Sequence, residues 1–236
     1  MENTREMQAL AAIREEMNGI PGHTGFYYRN LVTGYEFSVR GDEVFGAASV
    51  IKLPLFMHVL AESAAGRMSM EEKLVIEDAD KVPICGALTL FTGPVEADVR
   101  TLCRLMISIS DNTATNKLIR HSTIPGASAG FEQMGLKKTK LTRCLFDREA
   151  SKAGLQNVIC PEEMGMLLEQ NQRAYAQFAD ENTELVQQLS EHAVSAVAVL
   201  HDKTLLMNLF FSIIFRLHAL RKPNSHRLSS TALYSS

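Results

Sequence analysis

Two short clusters in the 236-residue chain carry side chains able to open an acyl bond. The first is Ser49-Val50-Ile51-Lys52, at the head of the apolar run AASVIKLPLFMHVL. Three residues apart on a helix, a serine and a lysine share one face, so the amine can reach the hydroxyl. A serine hydroxyl is a weak nucleophile until a base takes its proton, and a desolvated lysine becomes such a base once its pKa falls. At a helix start the Ser49 backbone N–H also points where an oxyanion would form. Ser and Lys at this spacing arise about once by chance in a chain of this composition, so the pair alone proves little. The second cluster, Ser110-Asp111-Asn112, comes 61 residues after Ser49 in LMISISDNTATNKLI. Read by itself it is an N-cap, with Ser110 or Asp111 accepting from the first turn of a following helix. A buried hydroxyl, carboxylate and amide together also need polar partners, which a catalytic site supplies.

The elements that must position these groups follow from hydrophobic spacing. Residues 3–18 carry Met7, Leu10, Ala11, Ile13 and Met17 at helical intervals, and Gly19 with Pro21-Gly22 stops the helix. HTGFYYRNL and YEFSVRGDE, joined through Val32-Thr33-Gly34, predict a hairpin. An apolar helix is predicted over 49–65, ended by Gly66, and another over 98–109 running into the Ser110 cluster. A further helix begins at 116–120 and breaks at Pro125-Gly126. Residues 137–160 lack periodicity and read as a long loop. Pro161 then starts a helix with Glu162-Glu163 near its positive dipole end. One more helix is predicted at 183–190, and AVAVL before His201 alternates like a strand. A hairpin followed by many helices defines an α+β arrangement.

Composition narrows the function classes. Lys+Arg 24 against Asp+Glu 27 gives a net charge of −3, which argues against nucleic acid as a partner. Cys85, Cys103, Cys144 and Cys160 form no CxxC pair and have no histidine at a zinc spacing, so they read as reduced, mostly buried thiols. The charged N-terminal helix lacks the apolar segment of a signal peptide, which leads to the expectation of a cytoplasmic protein. Residues 203–236 contain five basic residues and no acid, leaving 19 basic against 27 acidic residues before them. Their apolar run, residues 205–215, is shorter than the ~20 residues of a membrane span. Two regions are therefore expected: a body over 1–204 and a basic, apolar tail over 205–236.

Ser-x-x-Lys followed by Ser-Asp-Asn, each in its longer helical context, resembles the class A β-lactamase-like serine hydrolases of the β-lactamase and penicillin-binding protein superfamily. The resemblance covers about residues 1–170. It implies an antiparallel, five-stranded sheet flanked by helices, beside an all-helical region, with the site between them. It makes Ser49 the acylated nucleophile, Lys52 its proton acceptor and Ser110 the donor to the leaving β-lactam nitrogen. Asn112 would bind the amide of the substrate's side chain, while Asp111 and Asn116 would hold the surrounding loops. The substrate class is a small β-lactam or related acyl compound; no metal or cofactor is required, and a monomer is expected.

Two departures stand beside these matches. The family's Ω-loop carries Arg-x-Glu-x-x-Leu-Asn, whose Glu activates the deacylating water. Here Arg143-Cys144-Leu145 puts Leu at that place, with Asp147 and Glu149 further along as substitutes or as ordinary surface charge. The family's Lys-Thr/Ser-Gly strand motif, which binds the substrate carboxylate, has Lys203-Thr204 as its late counterpart, with Leu205 in place of Gly. The expectation is a serine hydrolase whose acylation survives and whose deacylation is impaired. A peptidase or esterase on the same scaffold, or a non-catalytic relative that binds β-lactams, are the alternatives.

Overall fold

The computed structural model describes residues 2–31, 33–177 and 196–200. Helix α1 (Glu2–Gly19) leads into strands β1 (Thr24–Arg29) and β2 (Glu36–Val39), paired antiparallel with Phe26 opposite Val39 and Arg29 opposite Glu36. Gly34, at φ +73°, closes the turn by donating to Asn30 O at 2.8 Å. The alternating stretch late in the chain is strand β7 (Ala196–Leu200), which pairs antiparallel with the other edge of β1, Thr24 opposite Leu200. The main sheet thus has the order β2-β1-β7, three strands among the described residues where the resemblance implied five.

Strand β1 is buried on both faces because its alternate residues serve two layers. Phe26 and Tyr28 meet Leu10 and Met17 of α1. Tyr27 points the other way, onto Gly165 of helix α7 (Pro161–Gln177), where a Cβ would sit 2.3 Å from the ring. The buried stripe of α1 differs from the predicted one: Met7 is 54% exposed and Ala11 is also exposed. Glu6 takes the place on that side, its carboxylate accepting from Tyr28 Oη at 2.6 Å and Asn30 Nδ2 at 2.7 Å.

The larger core lies among α2 (Lys52–Ala64), α3 (Val99–Ser108), α4 (Asn112–Ser122), α5 (Ile124–Gln133) and α7. Ile51, Leu55, Leu102, Leu118, Phe131 and Leu167 are almost wholly removed from water there. Each such side chain contributes about 1.5–3 kcal/mol, against about 0–1 kcal/mol for the exposed ion pairs of the surface. Packing of the helical region therefore dominates the stability. Strands β4 (Lys73–Ile76) and β5 (Val95–Asp98) form a separate ribbon leading into α3, which Asp98 caps by accepting from Thr101 N at 2.6 Å.

Several expectations change. Helix α4 starts at Asn112, not at 116, and Pro125-Gly126 begins α5 rather than breaking a helix. Proline in a first turn loses no helical hydrogen bond, and Thr123 Oγ1 accepts from Gly126 N at 3.1 Å as the cap. Residues 137–160 are more structured than a loop. They contain helix α6 (Arg148–Lys152) and strand β6 (Val158–Ile159), which pairs with β3 (Phe45–Gly46) just ahead of Ser49. The acidic start of α7 serves more than the helix dipole. Glu163 accepts from the backbone N–H groups of Lys137, Lys138 and Thr139, each at 2.8 Å. Burial acts to raise the Glu163 pKa, but the backbone donors of Lys138, Thr139 and Lys137 outweigh it and hold the carboxyl below its usual range. The helix predicted at 183–190, the tail from 205 onward, and Lys203 and Thr204 lie outside the described residues. No helix among the described residues is long and apolar enough to cross a membrane.

Candidate active site

The apolar helix carrying Ser49 begins as a tight 3₁₀ turn, Ala48–Ile51, before α2 takes over at Lys52. Pro54 stands in the first turn of α2, where its missing N–H costs no helical hydrogen bond. Ser49 sits exposed on this turn, while Lys52, one turn later, is 2% exposed. Between α3 and α4 the chain reverses at Ser110, whose φ of +57° places a non-glycine residue in the left-handed region. Asp111 then caps α4, accepting from Ala114 N at 2.9 Å, and its other oxygen accepts from Leu88 N at 3.0 Å. The N-cap reading and the catalytic reading of this cluster are thus compatible. Asp111 does the capping, and that leaves Ser110 and Asn112 facing Lys52.

All four groups meet at the lysine. Lys52 Nζ, with three N–H donors at most, lies within hydrogen-bond reach of four oxygens: Ser110 Oγ and Ser110 O, both at 2.7 Å, Asn112 Oδ1 at 2.8 Å, and Ser49 Oγ at 3.3 Å. Ser110 Oγ donates to Ser49 Oγ at 3.1 Å, which closes a ring of two hydroxyls and one amine. Burial pulls the Lys52 pKa down to about 8, against the opposing influence of Cys85 and Asp111. A pKa one unit above neutrality leaves about a tenth of the lysine as free amine at pH 7, enough to accept a proton from a hydroxyl in contact with it.

A strap over residues 84–88 fixes Asn112 from the other side. Asn112 Nδ2 donates to Ile84 O, and Asn112 N donates to Cys85 O at 3.2 Å. Ile84 (φ +67°), Cys85 (φ +59°) and Gly86 (φ +125°) are three consecutive left-handed residues. At Gly86 any Cβ would fall 2.3 Å from the Asp111 carboxyl, so only glycine lets the strap lie this close. The strap brings Cys85 to the surface of the site, so this thiol is exposed rather than buried, whereas Cys103 and Cys160 are buried as expected. Left-handed non-glycine residues concentrate here, with Ala48, Ile84, Cys85, Ser110 and Phe146 all in or beside one cleft. Backbone strain of this kind, held in place by surrounding contacts, clusters at functional sites.

That cleft, of about 590 Å³, runs from Ser49 and Asn112 between Ile84-Cys85 and the segment Arg143–Lys152. Asn116 grips the segment by a reciprocal pair, Nδ2 to Leu145 O at 2.9 Å and Leu145 N to Oδ1 at 2.7 Å. Leu145 therefore lines the same cleft as Ser49. Asp147 also lines it, but its carboxylate caps α6 through Ala150 N at 2.9 Å. Glu149 pairs with Lys152 at 3.0 Å and is 86% exposed. Sequence reasoning missed Asn157, which closes the neck of the segment. Its Oδ1 accepts from Thr142 N at 2.8 Å and Arg143 N at 3.1 Å, and its Nδ2 donates to Arg143 O at 3.0 Å. Nothing in the local pattern marks one asparagine among the polar residues of 147–157. Among the described residues no group of His, Cys, Asp and Glu is arranged to hold a metal.

The α+β scaffold, with a buried lysine between two serines, is similar to that of β-lactamase-like proteins. The sequence model of the Beta-lactamase enzyme family matches residues 6–196, and the chain belongs to that family. A β-lactamase of Rhodobacter capsulatus is 33% identical over 138 residues, 58% of this chain and 45% of the relative. One from Citrobacter koseri is 30% identical over 120 residues, covering 51% of this chain and 40% of that protein. The chain spans less than half the length of these curated relatives. Among solved structures, a β-lactamase from Sphaerobacter thermophilus DSM 20745 superposes with a TM-score of 0.64 at 26% identity, over 76% of this chain and 66% of its own. A leucine-to-glutamate variant of PBP-A, as an acyl-enzyme complex with penicillin G, gives a TM-score of 0.64 at 25% identity, over 78% and 66% of the two chains.

Proposed function

We propose that the protein opens β-lactam rings by acylation of Ser49 and releases the product slowly. The observation that carries this reading is the buried Lys52 amine in contact with Ser49 Oγ, Ser110 Oγ and Asn112 Oδ1. The free amine of Lys52 takes the Ser49 proton as Oγ attacks the lactam carbonyl. The carbon–nitrogen bond then breaks, and a proton passes from Lys52 through Ser110 to the departing nitrogen. The Ser49 N–H, in the first turn of a helix where backbone donors have no intrahelical partner, faces the developing oxyanion. Asn112 orients the acyl group by its amide, and Lys203 and Thr204 are proposed to take the substrate carboxylate.

Release needs a second base for the attacking water. Leu145 lines the cleft where the family's glutamate would act, and an alkyl group accepts no proton. Asp147 is engaged as a cap and Glu149 by Lys152, so neither carboxylate stands free beside Ser49. Loss of a general base costs about 10²–10⁴ in rate. Leu145 favours, as the second reading, a protein that captures β-lactams without turning them over. A chromogenic cephalosporin mixed with excess and with stoichiometric protein tests both. The expected trace is a burst of about one equivalent followed by slow turnover. Leu145→Glu should speed the slow phase. Fast turnover without a burst would overturn the impaired-release reading, and Asp147 and Glu149 would then be the first residues to replace.

A further inference from the structure

The wall of the cleft opposite Ile84-Cys85 is cationic in a way that catalysis by Ser49 and Lys52 does not require. Arg143, Arg148 and Lys152 all line it, against one carboxylate, Asp147, which faces Ala150 N as the α6 cap. Lys152 forms an exposed ion pair with Glu149 at 3.0 Å. Arg143 does not: its guanidinium donates to Leu155 O at 3.0 Å, Cys144 O at 3.1 Å and Gln156 Oε1 at 3.2 Å, all uncharged acceptors. Arg148 is exposed and has no carboxylate partner among the described residues. The facing wall, Ile84 and Cys85, and the remaining lining residues Leu145 and Phe146 carry no compensating acid. Two guanidinium charges thus overlook a partly apolar channel that starts at Asn112.

We propose that this channel selects substrates whose acyl side chain carries a negative charge on an apolar or aromatic body, with Arg148 as the residue that reads the charge and Arg143 as a fixed contributor to the field. The inference rests on the acylation reading above for the direction in which the acyl group lies, since the amide held at Asn112 leads its side chain into this channel. The body of the side chain lies against Leu145 and Phe146, and its carboxylate meets the fork of Arg148, a geometry in which guanidinium outperforms ammonium. Partial exposure screens the pair, so the selectivity is modest and falls with salt.

Three penicillins built on the same phenylacetyl group test this: one with an α-carboxylate, one unsubstituted, one with an α-ammonium. Their affinities are measured on the full-length Ser49→Ala variant, where no bond forms. The expected order is carboxylate, then unsubstituted, then ammonium, with steps of about three- to tenfold at low salt. Raising the salt should compress the order, and Arg148→Glu should invert it. Equal affinities, tighter binding of the ammonium compound, no measurable binding, or an order untouched by Arg148→Glu would each overturn the inference. Acylation of the unmodified protein separates the two claims. Labelling of Ser49 at equal rates by all three removes the charge selection and leaves the acylation reading intact. The predicted order of binding with no labelling of Ser49 removes the acylation reading and leaves the charge selection.

Discussion

In the proposed reaction Lys52 carries the most weight, because one amine is asked to be buried, hydrogen-bonded and basic at once. Burial brings its pKa to about 8 from an ordinary 10.5. In the proposed reaction the free amine is the reactive form, so the rate of acylation at low substrate should climb about tenfold per pH unit below 8 and level off above it. A flat or falling profile through this range would contradict the role of Lys52 as acceptor. The same shift bears on stability. The unfolded lysine keeps its proton until about 10.5 while the folded one gives it up near 8, so the group's cost to folding is full below pH 8. That cost is relieved as pH rises from 8 to 10.5, and denaturation midpoints corrected for other groups should rise over the same interval. Lys52→Ala should lower acylation by about 10² or more, the usual scale for a lost general base.

The elements around the site are held by backbone contacts that few side chains announce in advance. Gly86 allows the strap 84–88 to touch Asp111, so Gly86→Ala should cost about 1–3 kcal/mol in chemical denaturation and slow acylation by loosening Asn112. Unchanged stability and rate would show that the strap does not position Asn112. Asn157 plays the equivalent part at the neck of the segment 142–157. Its replacement by alanine strips partners from two N–H groups and one C=O, a loss of about 1–3 kcal/mol. Hydrogen exchange should accelerate within 142–157 and not in α2; uniform acceleration would mean that Asn157 supports the whole core instead. The helices and the hairpin were legible because burial imposes a period on their side chains. The strap and the 137–160 segment were not, because their order comes from Asn112, Asn116, Asn157 and Glu163 bonding to backbone groups far away in sequence. Such bonds leave no periodic trace. The polar side of α1 was misread for a related reason, since Glu6 occupies a half-buried place that spacing alone assigns to an apolar residue.

The sheet and the helical region meet where the 3₁₀ turn delivers Ser49, the head of α2 delivers Lys52, and the junction of α3 and α4 delivers Ser110 and Asn112. Of the site residues expected from the sequence, the structure brings these four into contact, and Asp111 and Asn116 hold neighbouring backbone as the resemblance implied. Two motifs were readable at a distance because Ser-x-x-Lys and Ser-Asp-Asn each sit in a recognisable helical context. The charged lining of the cleft was not, since Arg143, Arg148 and Lys152 line the same cleft as Ser49 through the fold of the segment that Asn116 and Asn157 hold. Acylation of Ser49 with Lys52 as its base is read out by intact-mass spectrometry with peptide mapping after exposure to a penicillin. The expected result is one adduct, of the mass of the whole drug, on the peptide containing Ser49, absent in Ser49→Ala and slow to form in Lys52→Ala. An adduct that survives Ser49→Ala, or none at any pH between 6 and about 9 across the lysine titration, would contradict it.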